Sequence, residues 1–211
     1  NQGMRVLEAS MMAAGGFAAL GLGMAVAEAA KFEKQMKVVQ ALIMDTADTP
    51  DRINSKMADL TKTTKEMAAK YGMAPIEVAK GLTVLGRAGV DTAGEMNTVL
   101  EAAVKLAKIE GITVQRASEM TVQMTTLFGG DYTRDAAKFA EILAHAANIS
   151  TTSAEDIMTA MRNAGGAITS VWKQESVEEM YENASQVSAM VATLSQQGVS
   201  GSMAGTAIKS F

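Results

Sequence analysis

The sequence predicts an all-α protein, built as a series of short-to-medium helices that glycine turns separate. Aromatic residues make up only 4% of the 211 residues and Pro only 2 of them, so the aromatic and β-branched clusters that strands favour are scarce. Apolar residues instead recur three and four positions apart, the spacing that lines one face of a helix, and glycines end many of these runs. Each apolar face is too small to be stable alone, so we expect a helical bundle or an oligomeric, coiled-coil-like packing.

Residues 1–47 are predicted to form one long apolar to amphipathic helix, ahead of a core helical domain over residues 48–211. The stretch 9–27 carries no charge and would span about 28 Å as a helix, at roughly 1.5 Å per residue, which matches a membrane crossing. Its strongly apolar residues are only Phe17, Leu20, Leu22 and Val26, and most of the rest is Ala and Gly. A membrane span and a closely packed buried helix both fit this composition, so both interpretations stay open.

Two stretches have the alternating four and three spacing of a heptad seam, which is typical of helices that associate with one another. The first stretch continues the N-terminal helix, and the second lies near the end of the chain. The seam positions are Phe32, Met36, Val39 and Ile43 in the first, and Val187, Val191 and Leu194 in the second. Both are predicted to serve self-association.

Between the seams, the helix boundaries follow from capping residues and glycines. Pro75 fits a first helical position, and Thr92 with Glu95 has the capping-box spacing, as has Ser176 with Glu179. Gly111 is predicted to end one helix, and the pair at 165–166 to break or hinge another. Such glycine-separated helices are expected to stack compactly in one state and to straighten in another.

The residues that usually carry chemistry are sparse. His145 is the only histidine, Cys is absent, and we find neither a nucleophile elbow nor a phosphate-binding loop. We therefore expect no catalytic site, no cofactor and no metal, with His145 at a helix surface or core edge. A net charge of -4 and a pI near 5.1 argue against specific nucleic-acid binding, because phosphate neutralisation needs clustered Lys and Arg.

Several segments in a fixed order resemble the core region of phage tail tape measure proteins. The most specific is the closing run GVSGSMAGT at residues 198–206, which includes Gly198, Gly201, Gly205 and Thr206. Helical periodicity alone would not produce this run. The other segments are 32–36, 74–89, 100–111, 127–129 and 150–158. Residues 170–182, which contain Trp172, look like an insertion relative to the family.

The resemblance implies a structural protein of the virion, not an enzyme. Such proteins fill the lumen of the tail tube, set tail length during assembly and leave at infection to help genome delivery through the host cell envelope. It implies a homo-oligomer, a trimer or hexamer, with tail tube and tail tip proteins as partners and the host membrane as a further one at ejection. The alternatives are a membrane-inserting, pore-forming helical protein and, less favoured, a cell-wall-degrading domain. We also expect the chain to be a fragment of a longer protein.

Overall fold

The fold consists of α-helices throughout the residues that the structure, a computed structural model, describes: 22–44, 48–171 and 176–210. These residues form nine helices and no β-strand, which confirms the all-α prediction. The helices are α1 (Leu22–Ile43), α2 (Pro50–Tyr71), α3 (Pro75–Arg87), α4 (Ala93–Glu110), α5 (Val114–Leu127), α6 (Tyr132–Asn148), α7 (Ala154–Val171), α8 (Val177–Gln196) and α9 (Gly201–Lys209).

The nine helices form a two-layer array. Each helix packs on its immediate neighbours in sequence and on the helix two places away, and all the substantial contacts are of these two kinds. The odd-numbered helices therefore lie side by side in one layer, and the even-numbered helices form the other. Buried side chains from both layers form one continuous apolar core. This nearest-neighbour arrangement is that of a helical repeat protein.

One turn geometry recurs along the array. At the turns from α2 to α3, α4 to α5 and α8 to α9, a glycine with positive φ is followed by an apolar residue and then by the N-cap of the next helix. The apolar residue donates its N–H to the carbonyl five positions earlier, which closes the helix end. These bonds are Met73 to Ala68 at 2.9 Å, Ile112 to Ala107 at 3.1 Å and Val199 to Leu194 at 2.9 Å.

The recurring turn marks an internal repeat that the sequence analysis missed. The N-cap positions Ala74, Thr113, Ser153 and Ser200 are 39, 40 and 47 residues apart. A period near 40 residues is typical of stacked helix pairs. The third unit is the longest because its first helix and following connection, from Ala154 to the start of α8, take 23 positions where the two earlier units take 18. The predicted insertion at 170–182 overlaps the end of this longer stretch and the start of α8, and 172–175 lie outside the described residues.

Glycines set the spacing within the odd-numbered layer. At each contact between successive odd helices, one glycine faces the neighbouring helix at close range. The pairs are Gly86 with Leu42, Gly81 with Ser118, Gly165 with Leu127, and Gly205 with Ala160. The last contact is the tightest, because a Cβ at that glycine would meet the Ala160 carbonyl itself, which is backbone and cannot rotate away.

Two sequence predictions about helix boundaries need correction. The predicted break at 165–166 is wrong, because α7 runs unbroken through both glycines. Burial of Ala164 and Ile168 on either side of them supplies packing that outweighs the low helix propensity of Gly, about 1 kcal/mol per residue. The single N-terminal helix is not supported: the described helix starts at Leu22 and ends at Ile43, and residues 1–21 and 45–47 lie outside the described part of the chain. Helix α1 shares the core of the later helices.

Candidate assembly surfaces

The first predicted seam faces the inside of its own chain. Phe32, Met36, Val39 and Ile43 are all buried, on the side of α1 that packs on α3 and α2. The Lys65 ammonium of α2 lies 5.6 Å from the centre of the Phe32 ring, within the range of a cation–π contact. These side chains are apolar and buried as the spacing predicts, but their partners belong to the same chain. They are therefore not available to a second copy in this conformation.

The second predicted seam is used in the same way. Val187 and Val191 of α8 are fully buried in the common core, and Leu194 is half-buried and packs against that core. Ser188, next to the seam, is also buried and donates its hydroxyl to the Ala184 carbonyl at 2.7 Å. Helix α8 is thereby fixed on α6 and α7.

The closing glycine run builds the last turn and the last helix contact. Gly198, with φ of 83°, makes the turn after α8, and Gly201 begins α9. Gly205 lies against the Ala160 backbone of α7. Thr206 is exposed, and its hydroxyl donates to the Ser202 carbonyl at 3.0 Å. Gly201 and Gly205 are buried, whereas Gly198 and Thr206 are exposed.

The residues of the predicted membrane span lie mostly beyond what the structure describes. Phe17 and Leu20 fall outside the described residues, Leu22 is described only as the first residue of α1, and Val26 has 44% of its surface exposed. Among the described helices, none combines the length and apolar character that a bilayer crossing requires.

A buried charged cluster, which the sequence analysis did not identify, joins α6 to α8. The Asp135 carboxylate has no exposed surface and accepts hydrogen bonds from the Arg134 guanidinium at 2.6 and 2.7 Å and from the Tyr181 hydroxyl at 2.6 Å. The Asp131 N–H donates to it at 2.7 Å. The bonds from Arg134, above all, hold the pKa of Asp135 at about 2, below its usual value. Each carboxylate oxygen accepts two bonds, so the group anchors two helices and has little capacity for a ligand.

The aromatic rings around this cluster strengthen the junction. The Phe139 ring stacks on Phe128 with their centres 5.7 Å apart and meets the edge of Tyr181 at 5.8 Å. Burial, more than its bond to the carboxylate, raises the pKa of Tyr181, so this phenol stays protonated and remains a donor. The only signal in the sequence was Asp135, four positions after the N-cap Asp131. No sequence pattern indicates that Asp135 meets Tyr181, 46 residues away.

His145 lies on the surface of α6, as predicted, and borders an open groove between α6 and α8. The groove has a volume of about 460 Å³ and is lined by Lys138, Glu141, Ile142, His145, Tyr181, Glu182 and Ser185. Lys138 and Glu141 form an ion pair at 3.1 Å. No group of three potential metal ligands occurs among the residues that the structure describes.

The exposed apolar side chains of the repeat turns lie along one edge of the array. Ile109 and Ile149 lie at the C-terminal ends of α4 and α6, and Met203 lies in the first turn of α9. Their exposed fractions are 64%, 53% and 65%. Because all even helices end at this edge, we call these three residues the apolar turn edge. The opposite turns, where α4 and α6 begin, present Asp91 and Asp131 instead.

Comparison with known proteins bears on these surfaces. No curated protein and no solved structure matches the chain. The family model described as phage-related minor tail protein matches residues 61–211, which covers α3 to α9 and the second half of α2. The array therefore extends beyond the matched region on its N-terminal side, through α1 and the start of α2. With most of its length matched, the chain belongs to the phage-related minor tail protein family.

Proposed function

We propose that this chain is part of a tail tape measure protein, which fills the lumen of the tail tube, sets tail length during assembly and leaves at infection to help genome delivery. The observation that carries the proposal is the family match over residues 61–211, joined to the glycine run at 198–206 that resembles the tape measure core. The family match alone supports a tail protein. The specific resemblance supports the tape measure role.

The polar chemistry of the described helices supports a structural rather than a catalytic role. Asp135, the most buried carboxylate, already has its acceptor capacity filled by two helices. Other polar contacts join successive turns: Arg116 pairs with Glu155 at 2.7 Å, and Glu110 accepts the Ala154 N–H at 3.3 Å. Such contacts hold one repeat on the next. We infer that the chain is not an enzyme and acts by occupying space in the tail.

The proposal includes a homo-oligomer, a trimer or hexamer, that contacts tail tube and tail tip proteins. The two predicted seams are buried within one chain, so copies in the tube would meet through other surfaces. The outer faces of the two layers and the apolar turn edge are among the surfaces that remain accessible. The net charge of -4 favours a filling that leaves the tube without binding the genome tightly.

Tail length in a phage that carries an altered gene tests the ruler role. A 39-residue, glycine-free heptad helix inserted outside residues 22–210 should lengthen the tail by about 58 Å, at roughly 1.5 Å per helical residue. A matched insertion of the same length in an unrelated tail gene is the control. A tail component without a ruler role would change tail yield or infectivity while leaving length constant, and that result would refute the proposal.

The release step has its own test. The amount of this chain in purified tails should fall after genome ejection is triggered, relative to a tube protein measured in the same sample. An unchanged ratio would remove the release step from the proposal.

A further inference from the structure

The same residues span very different lengths in a continuous helix and in the observed array. At roughly 1.5 Å per residue, the stretch 22–210 would span about 280 Å as one straight helix. In the array the chain reverses at every turn, and successive helices of one layer lie side by side. Helices that pack this way are about 8–10 Å apart, so each 39- to 40-residue unit lengthens the array by only about 10 Å.

The width of the buried faces determines which of the two forms is stable. Helix α4 buries Met96, Val99, Leu100, Ala102, Ala103, Val104, Leu106 and Ala107. At 100° per residue these positions cover an arc of about 200°, whereas a coiled-coil seam covers only two positions in seven. A straightened chain paired with sister copies would therefore leave much of this face in water. The layered array covers it from α2, α3, α5 and α6 together.

Contacts between helices two places apart hold the units in register. Asn97 of α4 donates to Asp59 of α2 at 3.2 Å, and Arg116 of α5 pairs with Glu155 of α7 at 2.7 Å. At the C-terminal end of the array, Gly205 brings α9 against the backbone of α7. Each of these contacts is lost if the intervening turn straightens.

We propose that this segment stays folded inside the assembled tail and contributes to its length as a compact block. Each repeat unit adds about 10 Å instead of the roughly 58 Å that 39 residues of continuous helix would add. The length set by the whole protein is then smaller than its residue count times the helical rise. The inference rests on the proposed ruler role only where it concerns the contribution of the segment to tail length. The folded state inside the tail can be measured without it.

Cross-linking inside assembled tails tests the folded state. The chain has no Cys, so the pair Asp59→Cys and Asn97→Cys provides the only thiols in the sequence given. These positions are adjacent in the array but about 57 Å apart in a continuous helix, at roughly 1.5 Å per residue. A short bifunctional thiol reagent should join them in purified chain and in tails with similar yield. Tails assembled from isotope-labelled and unlabelled chains show by mass spectrometry whether the bridge lies within one chain.

A control pair on the same two helices excludes unspecific bridging. Arg52→Cys and Lys108→Cys place thiols at opposite ends of α2 and α4, roughly 25 Å apart given the helical rise, so they should not be joined. Bridging of the first pair in purified chain but not in tails would overturn the proposal, since it would mean that the segment straightens on assembly. Equal bridging of both pairs in tails would also overturn it.

Deleting one unit tests the length contribution. Removal of residues 72–110 joins the end of α2 to the turn that begins at Gly111, which keeps a glycine turn at the junction. We expect tails shorter by at most about 10 Å, whereas a shortening near 58 Å would refute the compact block and support the ruler. If the heptad insertion described above changes no tail length, the ruler role fails, and the cross-link still decides the folded state. If the deletion variant assembles no tails, the cross-link still shows whether the segment is folded.

Discussion

Gly205→Ala tests the closest helix contact of the array. An added Cβ would lie 2.7 Å from the Asn163 Cβ, 3.1 Å from the Ala160 carbonyl carbon and still closer to the Ala160 oxygen. The backbone of α7 cannot rotate away, so α7 and α9 must separate by several tenths of an ångström. Such overpacking costs about 1–3 kcal/mol, and we expect the upper half of that range because backbone atoms are involved. The helix propensity of Ala offsets at most about 1 kcal/mol of this cost.

The net expectation is a destabilisation of about 1–2 kcal/mol, which lowers Tm by roughly 2–8 °C in a domain of this size. Thermal unfolding followed by circular dichroism measures it. Gly166→Ala in α7 is the matched control, because its added Cβ has nothing within 4 Å. That variant should be as stable as the parent or more so, by up to about 1 kcal/mol. If Gly205→Ala behaved like this control, the close approach of α9 to α7 would be wrong.

Three further predictions concern the core, the charged cluster and the surface. Val187→Ala should destabilise the chain by roughly 1–3 kcal/mol, and the loss in urea unfolding should not depend on protein concentration, since the seam is internal. A loss that was absent at low protein concentration and grew as the concentration rose would instead indicate a seam between copies. Asp135 has its pKa lowered to about 2, so its contribution to stability is complete above about pH 4 and is lost as the pH falls towards 2. Tyr181→Phe removes one bond to this carboxylate and should move acid unfolding to higher pH, whereas Tyr132→Phe should not; equal midpoints would contradict the role of the cluster. Met203→Gln on the apolar turn edge should change the free energy of unfolding by less than about 0.5 kcal/mol, as urea unfolding can show, and a larger loss would mean that this side chain is packed.

Local signals in the sequence were sufficient to place most helices. The N-cap hydroxyls of Thr92 and Ser176 accept the N–H three positions later, at 3.2 and 3.1 Å, as the capping-box spacing predicts. Pro75 is the first residue of α3, and Gly111 ends α4 with positive φ. These features depend on a few adjacent residues, and local physical chemistry determines them.

The identity of packing partners could not be derived in the same way. A heptad spacing states that a helix has an apolar stripe, but the stripe at Val39 or Val187 is equally suited to a sister chain or to the next helix of the same chain. The charged cluster likewise needs Asp135 and Tyr181 to meet across 46 residues, which no periodicity encodes. The repeat was accessible, since glycine, an apolar residue and a cap recur at the turns, but helix-by-helix analysis does not compare one turn with another.

The α6–α7 turn departs from the glycine geometry of the other turns along its edge. Ile149 has negative φ and donates its N–H to the His145 carbonyl at 3.1 Å, and the Ser150 hydroxyl donates to the Ala146 carbonyl at 2.8 Å. Since all the substantial contacts of a helix are with its first and second neighbours, traction on one terminus would detach helical hairpins one at a time, without disrupting distant ones. A chain drawn through a narrow opening would then unfold in a series of small steps, each governed by the contacts of one hairpin with the next, rather than in one cooperative transition. The irregular turn divides that series after the sixth of the nine described helices.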